Sequence, residues 1–531
     1  MNAPETGILG RLMLAFRGTT VPAWLAERLA AAPAAGVTLF RANNVSSPAQ
    51  VKALTTRLQS TQPDGLPLLV AADQEGGQLL ALGDGWTPFA GPMAVGATGD
   101  AGLAERVGHA IGRELRAVGV NVNYAPVLDV ATNPADPSLG IRSFGDDPVE
   151  VGRLGSAFLR GVQSAGVAAT VKHFPGKGSL GVDTHHTLGV SERDRAALDA
   201  IDLVPFRAAI EAGVRIVMSG HFASPALTGS RTLPSTLSAE MMGGLLRDEL
   251  GFAGVSITDA LDMRALPQDA TQAVDVIAAL RAGVDLLLTT ADRRARRRIE
   301  SALRRAAEVR LFDPDALARS AARITDLRRW LAGFDDPALD VVGCAEHAAL
   351  ARELAERSLT LLRDDGLLPL RLPPDARVAA IMPAPRDLTP ADTSSFVRPG
   401  LAAALRVQHP HVDEIVTANP PTTAEIAGLR ARAGEYDLLV VGTMTATAGS
   451  PQAALVEAVA SGGRPLVTVA LRTPWDLTAY PRVMTNVCTY SIQPDAMAAL
   501  AAALFGRARG EQPFPGRLPV TVSGIDPVLP T

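Results

Sequence analysis

The chain has 531 residues, 47% hydrophobic and 20% charged, with a formal net charge of −5 at pH 7. This is the composition of a soluble globular protein with length for two or three domains. The mixed-sign charge argues against nucleic acid or an anionic membrane as partner. No apolar run reaches the roughly 18 residues of a transmembrane helix. The N-terminus lacks a basic segment followed by an apolar one, so a cytoplasmic protein is expected. Cys344 and Cys488 are too few for a disulfide framework and show no metal-ligand spacing.

Taken in order, short apolar runs alternate with helical stretches over the first 335 residues. The runs are Gly36–Phe40, Leu68–Ala72, Val118–Val122, Val167–Val171, Arg215–Met218, Gly254–Ile257 and Asp285–Leu288. Helical patterns such as Ala101–Ala117, Val151–Ala165 and Ala239–Glu249 separate them. Nearly continuous apolar strands alternating with helices indicate a parallel sheet covered on both faces. About seven such units suit an α/β fold of the (β/α)8 TIM-like barrel type with one irregular unit. Asp73, Asn123, His173, His221 and Asp259 follow the strands, at the end where barrels carry their chemistry. The basic run Arg293–Arg298 reads as a solvated helix face. A helix over Asp313–Leu331 closes the region, and Gly333–Pro337 reads as linker. The expected division is a barrel over 1–335, a linker over 336–350 and an α/β sandwich over 351–531. Its mostly parallel sheet would use Val378–Met382, Asp437–Val441, Leu466–Ala470 and Met484–Cys488.

Polar groups concentrate in Lys172–His186, which holds three of the eight histidines and two of the three lysines. An ammonium is a compact point donor that can follow a hydroxyl, unlike the planar guanidinium used elsewhere in the chain. Lys172 and His173 end an apolar strand; an adjacent lysine favours a polar pocket over a structural histidine. Asp73, in Asp73-Gln74-Glu75-Gly76-Gly77, fits either a turn cap or a backbone drawn close to a ligand. Arg142 fits a surface ion pair or a ligand contact. Asp259 fits a helix cap, a reactive carboxylate, or both. In Asp183-Thr184-His185 the carboxylate can orient the imidazole and raise its pKa, as general acid/base work near neutral pH requires. His173, Asp183, His185, His186 and His221 could also ligate zinc, but their spacings fit no standard site. The expectation is therefore no metal and no cofactor.

These segments resemble glycoside hydrolase family 3, in its two-domain β-N-acetylglucosaminidase branch. Lys172–His185 matches K-H-F-P-G-H-G followed by D-[ST]-H, with Lys177 where histidine is usual. Ala72–Gly77, Asn121–Val130, Gly140–Gly145, Leu245–Asp259, Ser358–Arg363 and Gly516–Val520 match further stretches, so the likeness spans nearly the whole chain. It implies Asp259 as nucleophile and His185 as acid/base with Asp183 as its partner. It also implies that Asp73, Arg142, Lys172 and His173 hold the sugar. Related β-glucosidases take the acid/base from a second-domain Glu and lack the D-x-H loop. Gln78 and Ala81 stand where the family usually has arginines, which leaves the exact sugar open. The implied activity is retaining exo-hydrolysis of terminal β-linked N-acetylglucosamine from peptidoglycan fragments or chito-oligosaccharides, as in peptidoglycan recycling. Two alternatives share the scaffold: a phosphorylase, since a neutral imidazole does not repel phosphate, and a broad β-glucosidase. The expected partner is a small carbohydrate.

Overall fold

Eight short parallel strands close into a barrel in this computed structural model, which describes residues 7–524 except 32, 33, 63, 290 and 511. They are β1 (Leu12–Leu14), β2 (Gly36–Thr38), β3 (Leu69–Ala72), β4 (Val122–Asn123), β5 (Ala168–Phe174), β6 (Ile216–Ser219), β7 (Val255–Thr258) and β8 (Leu287–Leu288). β8 pairs with β1, and Thr258 N–H donates to Leu286 O at 3.0 Å, which completes the ring. Side chains alternate along each strand. Met13, Leu69, Ala71, Ile216, Met218, Val255 and Ile257 fill the interior, while Leu12, Leu14, Val70 and Val217 pack outward against helices.

The enclosing helices are α1 (Ala23–Ala31), α2 (Pro48–Gln59), α3 (Ala101–Ala117), α4 (Pro148–Ser164), α5 (Leu203–Glu211), α6 (Glu240–Glu249), α7 (Gln272–Arg281) and α8 (Arg293–Glu308). Their starts are set locally. Asp100 accepts from Leu103 N at 3.1 Å to begin α3, and Asp147 accepts from Val149 N at 2.8 Å, with Pro148 in the first turn of α4. A ninth helix, α9 (Pro314–Ala332), packs Ile324, Leu327 and Leu331 against the same interior residues.

The structure departs from the sequence reading in three places within the barrel. The first strand, β1, is only three residues long and carries too little pattern to be read. The run Val118–Val122 is mostly a turn: Val118 caps α3, Gly119 takes φ +79°, and the strand begins at Val122. The arginine run is only partly solvated. Arg293, Arg294 and Arg297 are exposed, but Arg296 turns inward, 4.0 Å above the Trp24 ring.

The stretch expected as linker contains a short turn at Leu339–Val341 and the start of α10 (Ala345–Ser358). A six-stranded sheet follows, in the order β9-β14-β13-β12-β10-β11. The strands are β9 (Thr360–Arg363), β10 (Val378–Pro383), β11 (Val412–Thr417), β12 (Leu438–Thr443), β13 (Leu466–Ala470) and β14 (Thr485–Cys488). β9 is antiparallel to β14 and the other pairs are parallel. The two edge strands escaped the sequence reading because they carry charge where a core strand would not, as at Asp413, Glu414 and Arg363.

The two parts are joined by buried polar contacts. The Glu114 carboxylate on α3 accepts from Thr87 N at 3.0 Å, Thr87 Oγ1 at 2.6 Å, Gly343 N at 3.1 Å and His347 Nδ1 at 2.8 Å. The C-terminal segment returns to the barrel, where Arg517 N donates to Ala97 O at 2.9 Å and Asp146 N to Pro519 O at 3.1 Å. Glu114→Ala would strand several buried donors at once. A loss of about 3 kcal/mol of stability is expected, seen in calorimetry as a lower transition temperature.

Candidate active site

The C-terminal ends of the strands carry the polar residues, and the barrel brings four of them into one buried ion cluster. Lys172 on β5 places Nζ 2.7 Å from Asp73 Oδ1, just past β3, and 2.5 Å from Glu75 Oε1. Arg142, in the short turn Gly140–Arg142, donates Nε and Nη2 to the two Glu75 oxygens at 2.9 Å each, and Nη1 to Ser138 O at 3.1 Å. Lys172, Glu75 and Arg142 are almost fully buried, whereas the Asp73 side chain keeps 23% of its exposure. Burial opposes ionisation of Glu75, but Arg142 and Lys172 outweigh it and hold the carboxyl well below its usual range. Burial pushes Asp73 up against the pull of Lys172.

The motif glycines make this packing possible. Gly76 and Gly77 take φ +90° and +62°, and a Cβ on Gly77 would come within 2.8 Å of Gly91 Cα. Gly178 lies so close to Val130 that a Cβ would meet its carbonyl oxygen at 1.8 Å.

His173 is held from behind. Its Nδ1 lies 2.6 Å from Asp129 Oδ2, and its backbone N and that of Lys177 donate to Asp129 Oδ1 at 3.2 and 2.8 Å. Burial and the charge of Lys177 drive His173 well below the ordinary histidine pKa, so the ring is neutral. Its Nε2 faces Asp259 Oδ2 at 3.9 Å. Asp259 follows β7 and accepts from Ala260 N at 2.7 Å. Burial favours its neutral form, but the imidazoles of His173, His221 and His185 and the Ala260 N–H prevail and bring its pKa to about 2. Asp259 is thus an ionised carboxylate, 16% exposed at the barrel mouth. His221 beside it is fully buried; Nδ1 lies 2.8 Å from Thr236 Oγ1, and Nε2 has no hydrogen-bond partner among the described residues.

His185 and Asp183 sit on the long loop after β5. His185 Nδ1 is 2.6 Å from Asp183 Oδ1, which also accepts the His185 N–H at 2.9 Å. Burial opposes it, but the hydrogen bonds from His185 bring Asp183 down to about 2. Arg264 N donates to His185 O at 3.0 Å, which ties the loop to the segment after β7. His186 points outward, its side chain 63% exposed. Among the described residues, no three His, Cys, Asp or Glu side chains converge as a metal site.

Three residues take roles here that the sequence does not give them. Glu75 anchors both cations, Asp129 fixes His173, and His221 was noted at its strand end without a role at Asp259. Glu75 and Asp129 lay inside the matching motifs, but only their burial distinguishes them from solvated carboxylates. Lys177 does not serve as a free cation near Asp259; its buried Nζ donates to Ser138 Oγ at 3.2 Å.

Gln78 has a task of its own. It extends the hairpin Gln74–Leu80 toward the second domain, donating Nε2 to Ala391 O at 3.2 Å. Its carbonyl accepts Thr393 N at 2.8 Å and Thr393 Oγ1 at 3.0 Å, while Leu80 N donates back to Thr393 Oγ1 at 3.1 Å. Thr393 is held by the buried Asp392–Arg472 pair next to it, 2.6 Å apart. Ala81 is buried and donates N–H to Asp73 O at 3.2 Å.

A barrel joined to a parallel-sheet sandwich, with an ionised carboxylate and a carboxylate-steadied imidazole at the barrel mouth, defines a two-domain glycoside hydrolase. Within that class the chain belongs to glycosyl hydrolase family 3. The family pattern described as "Glycosyl hydrolase family 3 N terminal domain" matches residues 15–327. The chain is 33% identical to "Beta-hexosaminidase A" of Pseudoalteromonas piscicida, over 95% of this chain and 92% of that protein. It is 30% identical to "Beta-N-acetylglucosaminidase/beta-glucosidase" of Cellulomonas fimi, over 96% and 93%. The solved glycoside hydrolase family 3 β-N-acetylglucosaminidase from Paenibacillus sp. str. FPU-7 superposes with a TM-score of 0.91 at 35% identity, covering 98% of this chain and 99% of that one.

Thr393→Val keeps the volume but removes the hydroxyl that bridges Gln78 and Leu80. The hairpin that follows Asp73 and carries Glu75 loosens, so KM is expected to rise by about threefold to tenfold with a smaller change in kcat. Steady-state kinetics on an aryl glycoside checks this; a kcat loss at constant KM would contradict it.

Proposed function

We propose that the protein is a retaining exo-β-N-acetylglucosaminidase in which Asp259 is the nucleophile and the Asp183–His185 pair the acid/base. The observation that carries the reading is the ionised Asp259 within electrostatic reach of an imidazole that a carboxylate orients. Asp259 attacks the anomeric carbon and forms a glycosyl ester as the bond to the leaving oxygen breaks. His185 gives that oxygen a proton through Nε2, since Nδ1 is committed to Asp183. The same nitrogen then takes a proton from water as the ester is cleaved, so the configuration is retained. Lys172 and Asp73 meet the sugar hydroxyls, with Arg142 and Glu75 locking them from below. The neutral His173 lies beside Asp259 without competing for its charge. No step calls for a metal or cofactor. Peptidoglycan fragments or chito-oligosaccharide ends are the substrates we favour, and a role in peptidoglycan recycling in the cytoplasm goes with them. The paired activities in the Cellulomonas fimi relative's name favour some glucoside hydrolysis as a second activity. A panel of aryl N-acetylglucosaminides and glucosides, with phosphate present or absent, tests sugar and acceptor together.

Asp259→Asn is expected to fold normally and retain less than about 1% of the wild-type rate, because an amide forms no glycosyl ester. A higher rate, with contamination excluded, would remove Asp259 from the role.

His185→Ala should lose far more rate on a natural disaccharide than on a nitrophenyl glycoside, whose phenol leaves with little protonation. A covalent sugar adduct on Asp259 should accumulate, visible by intact-protein mass spectrometry, and azide should release it. The pH profile is a second readout. A carboxylate with its pKa at about 2 is fully ionised above about pH 4. His185→Ala removes one of the imidazoles that lower Asp259, so its carboxyl moves toward the ordinary aspartate value of about 4, and in this variant kcat/KM for the nitrophenyl glycoside should be flat from about pH 6 to about pH 8. Equal losses on both substrates and no azide effect would point to an acid/base elsewhere.

A further inference from the structure

At the barrel end opposite Asp259 lies a cavity of about 650 Å3, bounded by the residues before β1 and β8, the end of α6 and the start of α9. Its volume is in the range of small-molecule sites. The interior side chains Met13, Leu69, Ile216 and Ile257 separate it from the catalytic face.

The charges around it do not balance. Asp285, fully buried, takes Arg247 Nη2 at 2.7 Å and also pairs with Arg323, whose Nε lies 3.1 Å from Oδ2. Beside them Arg11, 2% exposed, forms no ion pair of its own among the described residues and shares the field of Asp285 with Arg247 and Arg323. It donates to two neutral acceptors, Ser320 Oγ and Leu317 O, the latter at 2.7 Å. Its Nε is buried without a partner among the described residues, and so is Nε of Arg247. At the rim Arg281 and Arg319 stand against Asp248 and Asp313, with Arg319 and Asp313 3.9 Å apart. Five guanidiniums thus meet three carboxylates in a recess whose remaining wall is apolar, at Leu280, Val284 and Phe312. Buried cations without counter-charges are costly, and what the recess lacks is negative charge at its open side. A tetrahedral oxyanion with two negative charges supplies that charge and can accept from the exposed guanidiniums of Arg281 and Arg319.

We propose that this cavity is a binding site for a small phosphate-bearing ligand, a phosphomonoester or free phosphate, independent of the glycosidase site. The anion is held at the open side by Arg281 and Arg319, in the field of Arg11, Arg247 and Arg323 behind them, and the apolar wall receives the body of an ester. Binding to the folded form alone raises the transition temperature.

The test titrates the full-length protein with inorganic phosphate, and separately with glycerol phosphate, against sodium chloride at matched ionic strength. Thermal shift and calorimetric titration are the readouts. A saturable rise with the phosphate ligands and not with chloride is expected. Arg281 and Arg319 are exposed, so Arg281→Gln/Arg319→Gln should fold and turn over an aryl glycoside like the wild type while binding phosphate several-fold more weakly. Arg11→Gln, which removes the charge behind the recess, should weaken binding by several-fold. If phosphate does no more than chloride, or if the rim variant binds phosphate as the wild type does, the site is wrong. The rim variant decides the matter alone should Arg11→Gln fail to fold. A failure here leaves the glycosidase reading intact, since no residue is shared.

Discussion

The barrel mouth is built on the mutual compensation of Asp73, Glu75, Lys172 and Arg142. Each of these charges would be costly to bury alone, and each is tolerable because the others satisfy it. Glu75 is the pivot, taking a bidentate guanidinium on one side and an ammonium on the other. That arrangement joins β3, β5 and the loop after β4 at one point. It leaves Asp73, on the open side, as the partly exposed carboxylate beside the Lys172 ammonium.

The same compensation governs two of the three histidines around Asp259, His173 and His185. Each takes a carboxylate at Nδ1, 2.6 Å away, and each therefore presents Nε2. Their surroundings then separate their work. His173 is enclosed, flanked by the cation of Lys177 and kept neutral next to Asp259. His185 rides on a loop with a fifth of its side chain exposed. On the proposed reading, two equal hydrogen-bonded pairs become a fixed neighbour and a proton carrier because one lies in the barrel wall and the other above it.

The second domain reaches the site by bracing it. It holds the hairpin that carries Glu75, through Thr393 and the carbonyl of Ala391, and Gln78 is the residue held. A longer, charged side chain at position 78 would need a counter-charge at this buried junction. The replacement of the usual arginine is thus tied to how the domains dock.

Much of this was legible in the chain itself. Strands buried on both faces leave apolar runs that need no context to be read, and seven of the barrel strands and the four central strands of the sandwich announced themselves that way, although the run before β4 was read four residues early. The capping and glycine signals that set α3 and the turn at Gly76–Gly77 are equally local, because φ angles and free N–H groups are satisfied within a few residues. Asp73, Lys172, His173, Asp183, His185 and Asp259 could be singled out because polar residues that directly follow apolar strands, or pair within a loop, are conspicuous in one dimension. Tertiary structure alone decided what each could do. Whether a carboxylate is an anchor or a nucleophile depends on which charges fold around it, and those come from distant segments: Arg142 to Glu75, Asp129 to His173, His221 to Asp259. The edge strands, the inward turn of Arg296 and the bracket on Gln78 by residues more than three hundred positions away have the same origin. Their residues look solvated in the sequence, and only packing shows which of them water cannot reach.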